Sequence, residues 1–347
     1  MKYSVLNLVP LRENQSYKDA IDDMIELAKK VEKLGYERYW IAEHHNNKFI
    51  ASSATQLLIQ KTLDNTKKIR VGSGGVMLPN HSPYLVAEQY GTLEILHPGR
   101  VDLGLGRAPG TDLKTATAIR KKANLHPNFE KDLEELLSYF EGTAEVHAYP
   151  GEGVEIPIYI LGSSVESAYL ASKLGLAYAF AAHFSPASML EASYIYRNNF
   201  KASKYLDKPY FILCYNIILA DTVKEAKRLA TTQIQSFLNL VTSRPKGLQK
   251  PVNSEEEVWQ TYIAAEKVPH FGPIAFTNEN FIYREKEIVR SMIAGSIIGT
   301  KDTALIKLRE LKEDLQFDEL MVNSMIYDKD AQEYSYKLFS EIASKVE

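Results

Sequence analysis

The sequence predicts an α/β fold of the (β/α)8 TIM-barrel kind, with an irregular insertion between its seventh and eighth strands. Three observations carry that reading. Eight short β-prone runs can be marked along the 347 residues, most of them are continuously apolar, and most are followed by a stretch with helical periodicity. Continuous apolar runs suit parallel strands whose outer face is covered by helices. Strand-then-helix repetition means α/β, and a count of eight favours a closed barrel over an open doubly wound sheet.

The runs fall at 3–8, 38–41, 69–76, 101–105, 158–161, 177–181, 210–220 and 319–323. After the first, Ser16 with Asp19 three residues on resembles a capping box, and Ile21, Ile25, Ala28 and Val31 then make one apolar stripe. Gly35 ends that helix in the position after its C-cap. Near the end of the chain Thr300 can cap a helix with the stripe Leu305, Leu308 and Leu315, which leads into the last strand. The rhythm breaks at 243–284, a stretch rich in Pro, Gly, Asn and mixed charge. Long irregular segments in compact domains are commonly lids or binding loops, so this is the candidate lid, with a plain surface insertion as the equal alternative. Nothing resembles an interdomain linker, and residues 1–347 read as one domain.

Composition excludes several classes. Apolar residues make up 45% and charged residues 24%, which is globular rather than disordered. A net charge of −3 gives no electrostatic reason to expect nucleic acid or an acidic membrane as partner. The single cysteine, Cys214, cannot form an internal disulfide and favours a reducing compartment. The apolar stretch at 5–11 is too short and too polar for a signal peptide, and no run approaches the ~20 apolar residues of a spanning helix. A cytoplasmic protein is expected.

In such barrels the active site lies at the C-terminal ends of the strands. The residues there are Glu43-His44-His45 after the second run, Gly72 to Gly75 and then Asn80-His81 around the third, and Gly106-Arg107 after the fourth. Gly162-Ser163-Ser164 follows the fifth and Ala182-His183 the sixth. Neighbouring side chains on an extended chain point to opposite sides, so His44 and His45 cannot easily share one metal, and no metal site is expected. One histidine can face the barrel mouth, where an imidazole suits proton transfer at neutral pH; a structural pair is the plainer alternative. Gly162-Ser163-Ser164 opens a helix, and free N–H groups at such an end bind phosphate, although a serine cap alone is commonplace. Arg107, on the neighbouring strand, strengthens the phosphate reading because guanidinium grips phosphate bidentately. Glycines within the third run mark a bulge or a close approach of backbone to a flat ligand, with a packing need as the duller alternative. Gly104 and Gly106 do not make a dinucleotide fingerprint, because Arg107 and Pro109 break it.

WIAEHH from Trp40, RVGSGGVMLPNHSP from Arg70, LHPGRVDLGLGR ending at Arg107 and PGTD ending at Asp112 resemble the bacterial-luciferase-like monooxygenase family. LGSSVESAYLASKLGLAYAFAAHF from Leu161 to Phe184 and DELMV from Asp318 resemble its MsnO8-like single-subunit branch. The likeness spans nearly the whole chain and is weakest over the insertion. It implies a barrel that binds FMN, or in some branches the deazaflavin F420, and uses reduced flavin with oxygen on a small organic substrate. Carried over by position, it implies that Arg107 holds the flavin phosphate with Ser163, Ser164 and Ser167. Gly74 and Gly75 would form a bulge, often with a cis peptide, against the flavin ring, and His44 would serve acid–base steps. A serine at 163, where relatives can carry an acidic residue, departs from the pattern. The likeness further implies a homodimer packed through helices near the second and third strands, and possible dependence on a separate flavin reductase. An F420-dependent oxidoreductase and a flavin-binding protein without turnover are the alternatives.

Overall fold

A computed structural model of the chain describes residues 1–108, 110–120, 128–265 and 278–346. Strands β1 (Lys2–Asn7), β2 (Arg38–Ile41), β3 (Arg70–Met77), β4 (Val101–Gly106), β5 (Ile158–Gly162), β6 (Ala177–Ala181) and β7 (Phe211–Leu219) pair in sequence order, all parallel. A short strand β8 (Ser296–Gly299) stands outside this ring, and β9 (Glu319–Asn323) closes it by pairing with both β7 and β1. All eight predicted runs are therefore barrel staves.

Helices cover the outside. They are α1 (Tyr17–Lys33), α2 (Thr55–Asn65), α3 (Pro83–Leu96), α4 (Leu113–Arg120), α5 (Phe129–Glu141), α6 (Val165–Leu174) and α7 (Met189–Asn199). Then come α8 (Val223–Val241), α9 (Glu255–Ala265), α10 (Asn278–Ile293), α11 (Lys301–Leu315) and α12 (Lys329–Ala343). The two predicted caps are present: Ser16 and Thr300 each accept from the third residue of their helix, and Gly35 takes a φ of +78° behind α1. Among the described residues no helix is long and apolar enough to cross a membrane.

Two features depart from expectation. The segment 243–284, read as irregular, holds α9 and the start of α10 among its described residues. Ser254 accepts from the Glu257 amide at 3.2 Å, and Glu255, Glu256 and Glu257 fill the first turn, where a helix favours negative charge. Val258 and Trp259 then pack with Ile234, Phe237 and Leu238 of α8 and Val289 of α10 in a small separate core. The second departure is β8 itself. The run at 210–220 is about twice the length of its neighbours: Phe211–Cys214 pairs with β6, while Asn216–Leu219 runs past the end of β6 and takes β8 instead.

Alternation sorts every stave into an outer and an inner face. Val5, Tyr39, Val71, Leu103, Ile160, Phe180, Leu213 and Leu320 face the helices in the main core. Leu6, Trp40, Ala42, Tyr159, Ala177, Ala179, Ile212, Cys214 and Met321 form the cluster that fills the barrel.

Below that cluster, at the N-terminal ends of the strands, the barrel is plugged by charge. Arg38 Nε donates to Glu319 Oε1 at 2.8 Å, and its Nη1 donates to Asp102 Oδ2 at 2.9 Å and to the Tyr159 hydroxyl at 2.8 Å. Arg70 Nε reaches Asp102 Oδ1 at 2.8 Å, Trp40 Nε1 donates to Asp102 at 3.0 Å, and Tyr210 and Ser4 donate to Glu319. Two arginines and two fully buried carboxylates thus cancel at the closed end, leaving the C-terminal end for a ligand.

Candidate active site

The inward alternation continues past the hydrogen-bonded strand ends. Trp40 and Ala42 are followed two residues on by His44, and Ala177 and Ala179 point on to Ala181 and His183. His183 is buried, His44 is partly buried, and the Nδ1 atom of each has no hydrogen-bond partner among the described residues. Burial lowers the pKa of His44, with Glu43 opposing and His45 adding to the fall. Burial drives His183 down further, to about 4, and the nearby His44 charge adds to that shift. Both rings are therefore neutral at pH 7. His183 is fixed from behind, because the buried Asn216 Nδ2 donates to its carbonyl and Asn323 Nδ2 donates to Asn216 Oδ1 at 3.0 Å.

On the opposite side of the same segment, Glu43 is a hub. Its Oε1 accepts from His45 Nε2 and from His81 Nε2, both at 2.8 Å. Burial is the largest influence on this carboxyl and raises its pKa, but the hydrogen bonds from His45 and His81 outweigh it and leave the pKa low. The predicted opposition of the two neighbouring histidines holds: His45 bonds at the rim and His44 does not share its partner.

The third wall carries almost no side chains. The Gly74–Gly75 peptide is cis, and the β3–β4 register shifts between Ser73 and Val76. A Cβ on Gly74 would sit 2.7 Å from Leu6 Cδ1, and one on Gly75 would sit 2.7 Å from the Gly104 carbonyl oxygen. At Gly75 backbone approaches backbone, and at Gly74 the chain packs against the Leu6 and Trp40 side chains, so neither position has space for a larger residue.

The phosphate candidates come from adjacent strand ends, since Gly106 of β4 pairs with Leu161 of β5. Arg107 is exposed and forms no hydrogen bond or ion pair among the described residues. Its charge is felt by Glu166, whose pKa is lowered first by the Ser164 hydroxyl and its own N–H, and by Tyr178, where burial dominates and raises the pKa. Ser164 caps α6 in an extended conformation but spends no side-chain hydrogen bond on the cap, and Ser163 lies half-buried before it. Ser167 differs. Its hydroxyl donates to the Ser164 carbonyl at 2.6 Å and meets the Tyr178 hydroxyl at 2.9 Å, so it braces the turn from beneath.

The structure thus places His44, Arg107, Ser163 and Ser164 just past the C-terminal ends of β2, β4 and β5, Gly74 and Gly75 within β3, and Ser167 beneath the turn into α6. His183 is among the strand-end residues that the sequence marks, without an assigned role; Asn216 and Asn323 are not among them, although period-two counting along β7 and β9 leads to both. No local signal connects Glu43 to His81.

A (β/α)8 barrel hosts many unrelated chemistries at this end, and comparison narrows the class. The chain belongs to the luciferase-like monooxygenase family, whose model matches residues 1–319. It is 43% identical over 343 residues to YvbT, an uncharacterised Bacillus subtilis (strain 168) protein, covering 98% of this chain and 96% of that one. It is 39% identical over 348 residues to a luciferase-like monooxygenase of Escherichia coli (strain K12), covering 99% and 97%. The apo structure of MsnO8 superposes with a TM-score of 0.84 at 29% identity, covering 99% and 98%. Two more distant structures share the fold. One is a type II Baeyer-Villiger monooxygenase from Pseudomonas putida in complex with FMN (TM-score 0.71, 19% identity, 100% and 99% covered). The other is an F420-dependent secondary alcohol dehydrogenase (TM-score 0.61, 15% identity, 100% of both chains covered). An oxidoreductase of the monooxygenase type is the class that this family membership supports.

Proposed function

We propose that the chain is an FMN-dependent monooxygenase that uses reduced FMN and O₂ to oxidise a small organic substrate. The observation that carries this reading is the exposed Arg107, which has no hydrogen bond or ion pair among the described residues, beside the N-terminus of α6 and next to the glycines of β3. The residues fit the cofactor: a monophosphate would be held by the Arg107 guanidinium, the hydroxyls of Ser163 and Ser164 and N–H groups of α6, and Gly74 and Gly75 would offer backbone to a flat ring. Reduced FMN, when bound, would supply the electrons for oxygen activation.

Arg107, Ser163 and Ser164 bind and orient by holding the phosphate, and Ser167 keeps that turn in place. His44, neutral and with Nδ1 unsatisfied, is the group to hold or pass a proton. Residues 243–284 are the segment to which we assign exclusion of water. In support, the small core of α8, α9 and α10 takes in Met325, just beyond the C-terminal end of β9. We further propose a homodimer, supported by Leu57 on α2 and Leu85, Ile95 and Leu96 on α3, which are all exposed. A separate flavin reductase would supply the reduced cofactor, and the buried lone Cys214 suits the cytoplasm.

Anaerobic titration with FMNH₂ and with F420 tests the reading, followed by admission of oxygen. FMNH₂ is expected to bind more tightly, and Arg107→Ala to weaken it about 10- to 100-fold while leaving reduced riboflavin, which lacks the phosphate, unaffected. Preference for F420, or equal losses for FMNH₂ and reduced riboflavin, would overturn the assignment. Deleting the segment from 243 to 284 is expected to raise the share of oxygen released as peroxide.

A further inference from the structure

We propose that Glu43, His45 and His81 form a binding site for a divalent transition metal of the zinc class, at the rim beside His44. Glu43 and His45 are two residues apart on an extended segment and so project to the same side. His81, from the turn after β3, completes the set, and the three donor atoms lie within 4.8 Å of one another. Two imidazole nitrogens and one carboxylate oxygen are a borderline donor set that suits zinc, cobalt or nickel rather than magnesium or calcium.

The charge balance also calls for a cation. Glu43 is fully buried, and among the described residues no lysine or arginine pairs with it. Besides the two imidazoles, it accepts from the Met77 amide at 3.4 Å. Each imidazole now stands 2.8 Å from Oε1. Metal–ligand bonds of about 2.0–2.1 Å in tetrahedral array would separate the donors by about 3.3 Å, so each ring must retreat by roughly half an ångström. The rings have room to do so, being 17% and 23% exposed, and the same openings give an ion its path inward.

Binding is ligand exchange without electron transfer. For Nε2 to ligate, each neutral ring changes tautomer: the proton that now points at Glu43 is exchanged through solvent for one on Nδ1, which frees the Nε2 lone pair for the metal with no net loss of a proton. The ion would tie the segment that carries His44 to the turn after β3 while His44 itself stays on the other side. Nothing in this assignment depends on which flavin the barrel takes.

The test uses the untagged full-length protein, stripped with chelator and dialysed, then titrated with Co²⁺ and Zn²⁺ by calorimetry and visible absorption. One equivalent of Co²⁺ is expected, with ligand-field bands that Zn²⁺ abolishes, and a thermal midpoint that rises with Zn²⁺ concentration. His45→Ala and His81→Ala should each weaken uptake roughly tenfold or more. Replacing buried Glu43 would test folding as much as binding, so the two histidine variants, checked for an intact thermal transition, carry the result. Less than one equivalent at millimolar cation, or undiminished affinity in the double histidine variant, overturns the site and reduces the cluster to a hydrogen-bonded brace.

Discussion

Arg38→Met is expected to remove about 3–5 kcal/mol of stability, the loss typical of a buried ion pair deprived of one partner. The arginine side chain is 4% exposed, and Asp102 and Glu319, which it bridges, are wholly buried. Methionine fills similar space but leaves Glu319 facing only Ser4 and Tyr210, and leaves Asp102 with Arg70 and Trp40. The barrel's closed end would then hold one excess negative charge that solvent cannot reach. A urea titration at pH 7 reads the effect as a lowered midpoint. Arg38→Met with Glu319→Gln should recover part of the loss, because the excess charge goes with it; an unchanged midpoint in the single variant would mean that the plug is energetically idle.

The second large effect concerns pH. His183 titrates near 4 in the folded protein and near 6.5 when unfolded. Between those values the unfolded chain binds a proton that the folded chain refuses, so this contribution is complete above roughly pH 6.5 and drains away as pH falls. By the linkage relation it costs about 2 kcal/mol by pH 5 and about 3 kcal/mol near pH 4. His183→Gln keeps a polar group in place and removes the proton. The urea midpoint of the variant should therefore change less between pH 7 and pH 5 than that of the parent; parallel changes would show that His183 is not the group responsible. Carboxylates such as Glu43 add their own acid sensitivity, but that is common to both proteins and cancels in the difference.

The barrel was legible because its staves announce themselves twice, as apolar runs and as units of one repeating rhythm. That rhythm also hid β8. Ser296–Gly299 is four residues long, alternates in burial, and exists because Asn216–Leu219 outruns β6 and needs a partner, which no local window reveals. The segment 243–284 looked irregular because its Pro, Gly and Asn were counted together with helices whose apolar faces are short. Trp259 and Val258 acquire meaning only against Phe237 and Val289.

The site divides in the same way. His44, Arg107 and Ser164 follow strand ends directly, so strand counting reaches them. His183 is reached in the same way, and its inward direction follows two residues at a time from Ala177. The bond between His81 and Glu43 spans 38 residues and depends on how far β3 and its turn carry the chain, which composition and spacing do not encode. Ser167 shows the reverse case: its place beside the phosphate candidates was legible, but its commitment to Tyr178 belongs to packing.

The length of β7 gives one strand different partners along its two halves. Phe211–Cys214 is clasped by β6, and Ile212–Asn216 by β9, so those amides exchange their protons only when the whole ring opens. Asn216–Leu219 instead pairs with β8, whose Ile297 lies in the main core with Ile217 and Leu219 and whose Ile298 packs with Ile218 and with Ala226, Leu229 and Ala230 of α8. Parting β8 from this half would bare its ladder while the half held by β6 and β9 stays closed. Opening at the mouth would then break one short ladder rather than the ring, and would cost a smaller local free energy than the one that keeps the barrel folded.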